Sequence, residues 1–121
     1  MTRSIRRGWV YLADLNPRRG TEPGKIRPVL VLQTDALNEV HPSTIVCPLT
    51  TNVQAKASLL RVHLTRDQAG LEKDSDVMVD QVRAIDGQRL VRPLGAVSMQ
   101  TLASVLGNLA LLLEIETGGH L

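Results

Sequence analysis

The chain of 121 residues has no phenylalanine, one tryptophan and one tyrosine. Its core must therefore be built from leucine, valine, isoleucine and alanine, and an aromatic platform for stacking nucleobases is nearly missing. The single cysteine, Cys47, excludes an internal disulfide and a cysteine-based zinc site, and fits a reducing compartment. No apolar run approaches the length needed to span a bilayer, and the basic N-terminus is not followed by the apolar stretch of a secretion signal. The expectation is a soluble cytoplasmic protein with no membrane contact, residues 1–121 forming one domain. Asp74, Asp76 and Asp80 would share one face of a strand, but the glycine and glutamate of a calcium loop are missing. There is no Walker loop and no dinucleotide fingerprint, so no metal and no cofactor are expected.

Charge is small in sum, +2, and uneven in placement. Arg3, Arg6, Arg7, Arg18, Arg19, Lys25 and Arg27 face only Asp14 and Glu22 within the first 27 residues, a balance of +5. The remainder carries −3. A basic N-terminal region suits a polyanion, because neutralising phosphates dominates nucleic-acid affinity. A solvated basic terminus explains Arg3, Arg6 and Arg7 equally well.

Short apolar runs separated by turn residues predict strands over 8–15, 29–34, 44–49, 59–64 and 76–82, with a short last strand over 90–94. Trp9 and Tyr11 fall on one face of the first strand, to line a groove or to join the core. Residues 35–38 and 65–68 read as brief helical turns, and Asp86-Gly87 as a bend. Pro48 lacks an N–H and implies an edge or a bulge in the third strand. Ser98 is a good N-cap for a helix running to about Ile115. Leu102, Val105, Leu106, Leu109, Leu112 and Leu113 recur at helical spacing, and Gly118-Gly119 follows. Gly107 within that helix implies close packing, since glycine costs about 1 kcal/mol there relative to alanine. The pattern is mainly β (α+β): a small curved sheet or partly open barrel with one helix over it.

The segment Gly20-Thr21-Glu22-Pro23-Gly24-Lys25-Ile26-Arg27-Pro28 is a rigid loop that enters the apolar run Val29-Leu30-Val31-Leu32. An arginine at the mouth of a strand suits a phosphate. Its charge persists at any working pH, and its planar fork presents several donors. The ordinary alternative is a solvated arginine with a local acidic partner.

Four segments then form a pattern: residues 8–15 (GWVYLADL), 20–31 (GTEPGKIRPVLV), 45–51 (IVCPLTT) and 80–86 (DQVRAID). In this order and spacing the chain resembles the MazF/PemK family of toxin endoribonucleases over nearly its whole length. The resemblance implies an SH3-like, partly open barrel of the CcdB/PemK type with a C-terminal helix. It implies a homodimer, metal-independent cleavage of single-stranded RNA, and inhibition by a small MazE-like antitoxin. Catalytic status is carried to Arg27 and Thr50.

Such cleavage uses the 2′-hydroxyl of RNA itself as nucleophile and leaves a 2′,3′-cyclic phosphate and a 5′-hydroxyl. Arg27 is suited to clamp the charge of the transition state, and the Thr50 hydroxyl to donate to a non-bridging oxygen. RNA contacts are assigned to Glu22, Lys25, Arg18 and Arg19 in the loop, and to Gln81 and Arg83 later in the chain. Glu22 can accept a proton or pair with Lys25 or Arg19. Arginine planes replace the missing aromatics as stacking groups. A two-histidine site is disfavoured: His41 precedes a proline, His63 lies in a strand and His120 in the tail. Two other readings stay open, a CcdB-like gyrase poison and an inert nucleic-acid-binding barrel. The C-terminus lacks the tryptophan that the former would bring.

Overall fold

The structure, a computed structural model, describes residues 4–17, 19–22 and 24–116. Chain order is β1 (Trp9–Asp14), β2 (Ile26–Val31), α1 (Asp35–Asn38), β3 (Ser43–Thr50), β4 (Arg61–Leu64), β5 (Ser75–Met78), β6 (Arg83–Asp86), β7 (Leu90–Ala96) and α2 (Met99–Leu113). Single 3-10 turns cover Gln68–Gly70, Val79–Gln81 and Gly87–Arg89. All pairings are antiparallel in the order β4-β5-β3-β2-β1-β7, with β6 also on β3. The result is a seven-stranded, partly open sheet with a C-terminal helix, the architecture expected from the sequence. No helix among the described residues is long and apolar enough to cross a membrane.

Alternation along the strands divides the apolar residues into two cores. One holds Val10, Leu30, Cys47, Leu49, Leu64, Val77 and Val79, and α2 covers it with Val105 and its half-buried leucines. The other, inside the curl of the sheet, holds Tyr11, Ala13, Val29, Val31, Val46, Ile85 and Leu90. Tyr11 belongs to this core rather than to a groove. Its hydroxyl accepts from the Arg6 N–H at 2.9 Å and donates to the Ser4 carbonyl at 3.0 Å. Trp9 packs half-buried against the same cluster.

Pro48 is not at an edge, because β3 is central. Its first half, Ser43–Val46, pairs with β6, and Leu49-Thr50 pair with β5. Pro48 falls where the strand exchanges one neighbour for the other. A residue without an N–H is tolerated there because neither ladder needs the bond. Strand β2 is displaced from its expected span: it begins at Ile26 and ends at Val31. Hairpin pairing with β1, which sets Ala13 opposite Arg27 and Asp14 opposite Ile26, draws the end of the loop into the sheet. The fifth strand stops at Met78, and residues 79–81 turn.

Helix α2 begins as expected, with the Ser98 hydroxyl accepting from the Thr101 N–H at 3.0 Å. It ends at Glu114, which adopts a left-handed conformation (φ 56°), ahead of the glycine pair. Gly118-Gly119 lies outside the described residues. Leu113 points outward, and Gly107 faces open space, so the close packing expected at Gly107 is not found. Close approach occurs instead at Gly70, at φ +72°, where any Cβ would run into the Leu94 carbonyl.

Candidate active site

Arg27 sits on β2, one residue inside the sheet. Its Nε donates to the Gly24 carbonyl at 3.0 Å, and one terminal nitrogen donates to the Leu49 carbonyl at 3.2 Å. These bonds fix the plane of the guanidinium and tie it to the residue preceding Thr50. The β2–β3 register has Val29 opposite Pro48. The ladder ends at that pair, and beyond it the bond from the Arg27 guanidinium to the Leu49 carbonyl joins the two strands. Arg27 is thereby held against the backbone one residue before Thr50.

Thr50 is half-buried at the end of β3, and its hydroxyl oxygen accepts from the Asn52 N–H at 3.1 Å. With that lone pair engaged, the hydroxyl proton is directed elsewhere, as a donor to an incoming oxyanion requires. On its other side Thr50 pairs with Asp76, and Asp76 pairs with His63. A row runs across three strands, threonine, aspartate and histidine, with the Arg27 guanidinium bonded beside its threonine end.

Asp76 is the residue that sequence reasoning missed as a site neighbour. Its side chain is 2% exposed. It accepts from the Gln54 N–H at 2.8 Å, from Arg61 at 3.3 Å and from His63 Nδ1 at 3.1 Å. Burial alone would push its pKa up. The Gln54, His63 and Arg61 bonds outweigh burial and hold it below the usual carboxylate range. The one available signal was an acid next to the apolar run Val77-Met78-Val79. His63 also lies 3.7 Å from Asp74. Among the described residues no group of three or more His, Cys, Asp or Glu side chains is placed to hold a metal ion. Cys47 is no candidate nucleophile: burial, then the charge of Asp80, pushes its thiol up to about 12.

The remaining sequence candidates scatter around this row. Arg19 and Glu22 are exposed on the β1–β2 loop, joined by a backbone bond from the Glu22 N–H to the Arg19 carbonyl at 2.9 Å. Lys25 is exposed, held at φ 68° with its N–H on the Asn16 side-chain oxygen. Gln81 is half-buried in the turn after β5. Arg83 pairs with Val46, on the face of β3 that also bears Pro48 and Thr50. Arg18 lies outside the described residues. A concavity of about 280 Å³ does not include Arg27, Thr50 or Asp76. It is lined by their chain neighbours Pro28, Thr51 and Ser75, with Leu12, Glu72 and Arg92.

These features define a class: a small curled antiparallel sheet in which an arginine on one strand is bonded to the next strand just before a threonine. Residues 6–113 match the model of the PemK-like, MazF-like toxins of type II toxin–antitoxin systems, and the chain belongs to that family. It is 34% identical over 116 residues to the endoribonuclease MazF of Staphylococcus epidermidis, covering 96% of this chain and 97% of that one. It is 42% identical over 86 residues to the endoribonuclease EndoA of Bacillus subtilis, 71% of this chain and 74% of that one. Crystallographic MazF of Deinococcus radiodurans superposes with a TM-score of 0.80 at 29% identity, covering 93% and 99%. The same organism's MazE–MazF complex gives 0.76 at 28%, covering 95% and 100%.

Proposed function

We propose that this toxin is a metal-independent, sequence-specific endoribonuclease. In this reading it cleaves single-stranded RNA, mRNA above all, and so arrests translation and growth. The observation that supports the reading is the anchoring of the Arg27 guanidinium on the Leu49 carbonyl, one residue before Thr50 on β3. In the reaction the 2′-oxygen forms a bond to phosphorus as the bond to the 5′-oxygen breaks. A proton leaves the 2′-oxygen and one arrives on the 5′-oxygen, giving a 2′,3′-cyclic phosphate and a 5′-hydroxyl. Charge accumulates on the non-bridging oxygens, and a pre-set cation and hydroxyl donor stabilise it without reorganising. Arg27 supplies the cation and Thr50 the donor.

Arg18, Arg19, Lys25 and Glu22 are assigned to the RNA strand as it passes the β1–β2 loop, and Gln81 and Arg83 to its continuation along β3. The site is assigned to a single domain that acts in the cytoplasm, as a homodimer restrained by a MazE-like antitoxin. The MazE–MazF complex of the Deinococcus relative supports that partner.

The test is cleavage of a long RNA in excess EDTA, with end-group analysis of the products. The wild-type chain should cut, leaving 5′-hydroxyl ends. Arg27→Ala should abolish cutting, and Thr50→Ala should slow it about 100-fold, the scale of removing one pre-organised donor. Cutting that stops in EDTA, or that survives Arg27→Ala, overturns the reading.

A further inference from the structure

Asp76 does not line the 280 Å³ concavity, yet its bonds converge on the segment that holds the Thr50 hydroxyl. Arg61 divides one terminal nitrogen between Asp76, at 3.3 Å, and the Asn52 carbonyl, at 3.0 Å. Asn52 in turn donates its N–H to Thr50 Oγ at 3.1 Å. Two residues further on, the Gln54 N–H is fixed by the same carboxylate oxygen at 2.8 Å. The backbone just after the N–H that orients the Thr50 hydroxyl is thus held at two points by one buried carboxylate, through Arg61 at the Asn52 carbonyl and directly at the Gln54 N–H. His63, 44% exposed in its side chain, secures the second carboxylate oxygen from β4.

We propose that Asp76, acting through Arg61 and the 52–54 backbone, is a positioning residue that sets the Thr50 hydroxyl for the transition state. The proposal rests on the reading of Thr50 as a catalytic donor. Its physical basis is that a hydroxyl is a free rotor until a neighbour fixes one of its lone pairs. Removing the carboxylate frees Arg61 and leaves the Asn52 and Gln54 peptides without their anchor. The hydroxyl then spends less time aimed at the phosphate. Asp76 makes no contact with RNA in this scheme, so its loss lowers kcat and leaves KM alone.

A double-mutant cycle separates this role from general stabilisation. Asp76→Asn should lower kcat about tenfold with KM within about twofold of wild type. In the Thr50→Ala background the same substitution should change kcat by less than about twofold, because the hydroxyl it positions is gone. Arg61→Met keeps the Asp76 carboxylate on Gln54 and His63. It provides the second cycle, with the same pattern expected, should Asp76→Asn fail to fold by thermal melting. An equal loss with and without Thr50, or a rise in KM at constant kcat, overturns the positioning role while leaving Thr50 catalytic. A Thr50→Ala chain as fast as wild type removes the catalytic assignment itself, and the positioning role with it.

Discussion

Thr50 and Asp76 illustrate how much one buried polar residue can organise. A buried carboxylate left alone is costly, and Asp76 offsets this with three donors, Gln54 from the segment after β3 and Arg61 and His63 from β4. The consequence for pH has a definite sign. The pKa of Asp76 is lower in the folded chain than in the unfolded one. Its stabilising contribution is therefore complete above the ordinary carboxylate value, about 3.9, and is lost as pH falls through the lower folded value. Wild type should be more resistant to urea than Asp76→Asn at about pH 6, and the gap between their midpoints should shrink toward about pH 3. A gap that stays constant over that range would mean the ionised carboxylate contributes nothing. Arg27 and Thr50 were legible in the sequence, one from charge beside a rigid loop, the other through the family pattern. Asp76 was not, because only strand pairing reveals that Gln54, Arg61 and His63 converge on it.

Among the elements, β2 and β3 carry the proposed catalytic residues, and the bond from Arg27 to the Leu49 carbonyl joins them there. The apolar alternation of both strands was visible in the sequence. The start of β2 was not, because hairpin pairing with β1 adds Ile26, Arg27 and Pro28 to the strand. Arg27 thereby leaves the loop and gains a fixed cross-strand position. Helix α2 was readable from its Ser98 cap and leucine spacing, since both signals are local. The role of Gly107 was not, because a glycine in a helix signals either close contact or an avoidable cost. The structure shows open space beside it. Gly107→Ala should raise stability by about 1 kcal/mol and the melting temperature by about 4 °C. Destabilisation by that substitution would show that a second surface approaches the helix there.

At the scale of the whole molecule, two cores flank one curled sheet, and apolar surface remains outside both. Met99 is 89% exposed and Leu111 68%, with Leu113 and Ile115 each at 56%. A helix that keeps large apolar side chains in water fits a chain that pairs with another copy. Sedimentation equilibrium at micromolar concentration should give twice the chain mass. A monomer mass across that range would exclude the homodimer. The curl of the sheet also brings Arg83 from β6 onto the face of β3 that ends in Thr50. Thirty-three residues of chain separate the two, and only closure of the fold relates them.

By itself the sequence determined what depends on neighbours along the chain. Those are the strand and helix periodicities, the capped start of α2, the excess of positive charge in the first 27 residues and the rigid loop before Arg27. Tertiary structure alone decided the bond from Arg27 to the Leu49 carbonyl and the burial of Asp76 with its three donors. It also decided the exchange of partners at Pro48. Each is a relation between strands distant in sequence, set by which register buries both apolar faces at once, and no local pattern encodes it.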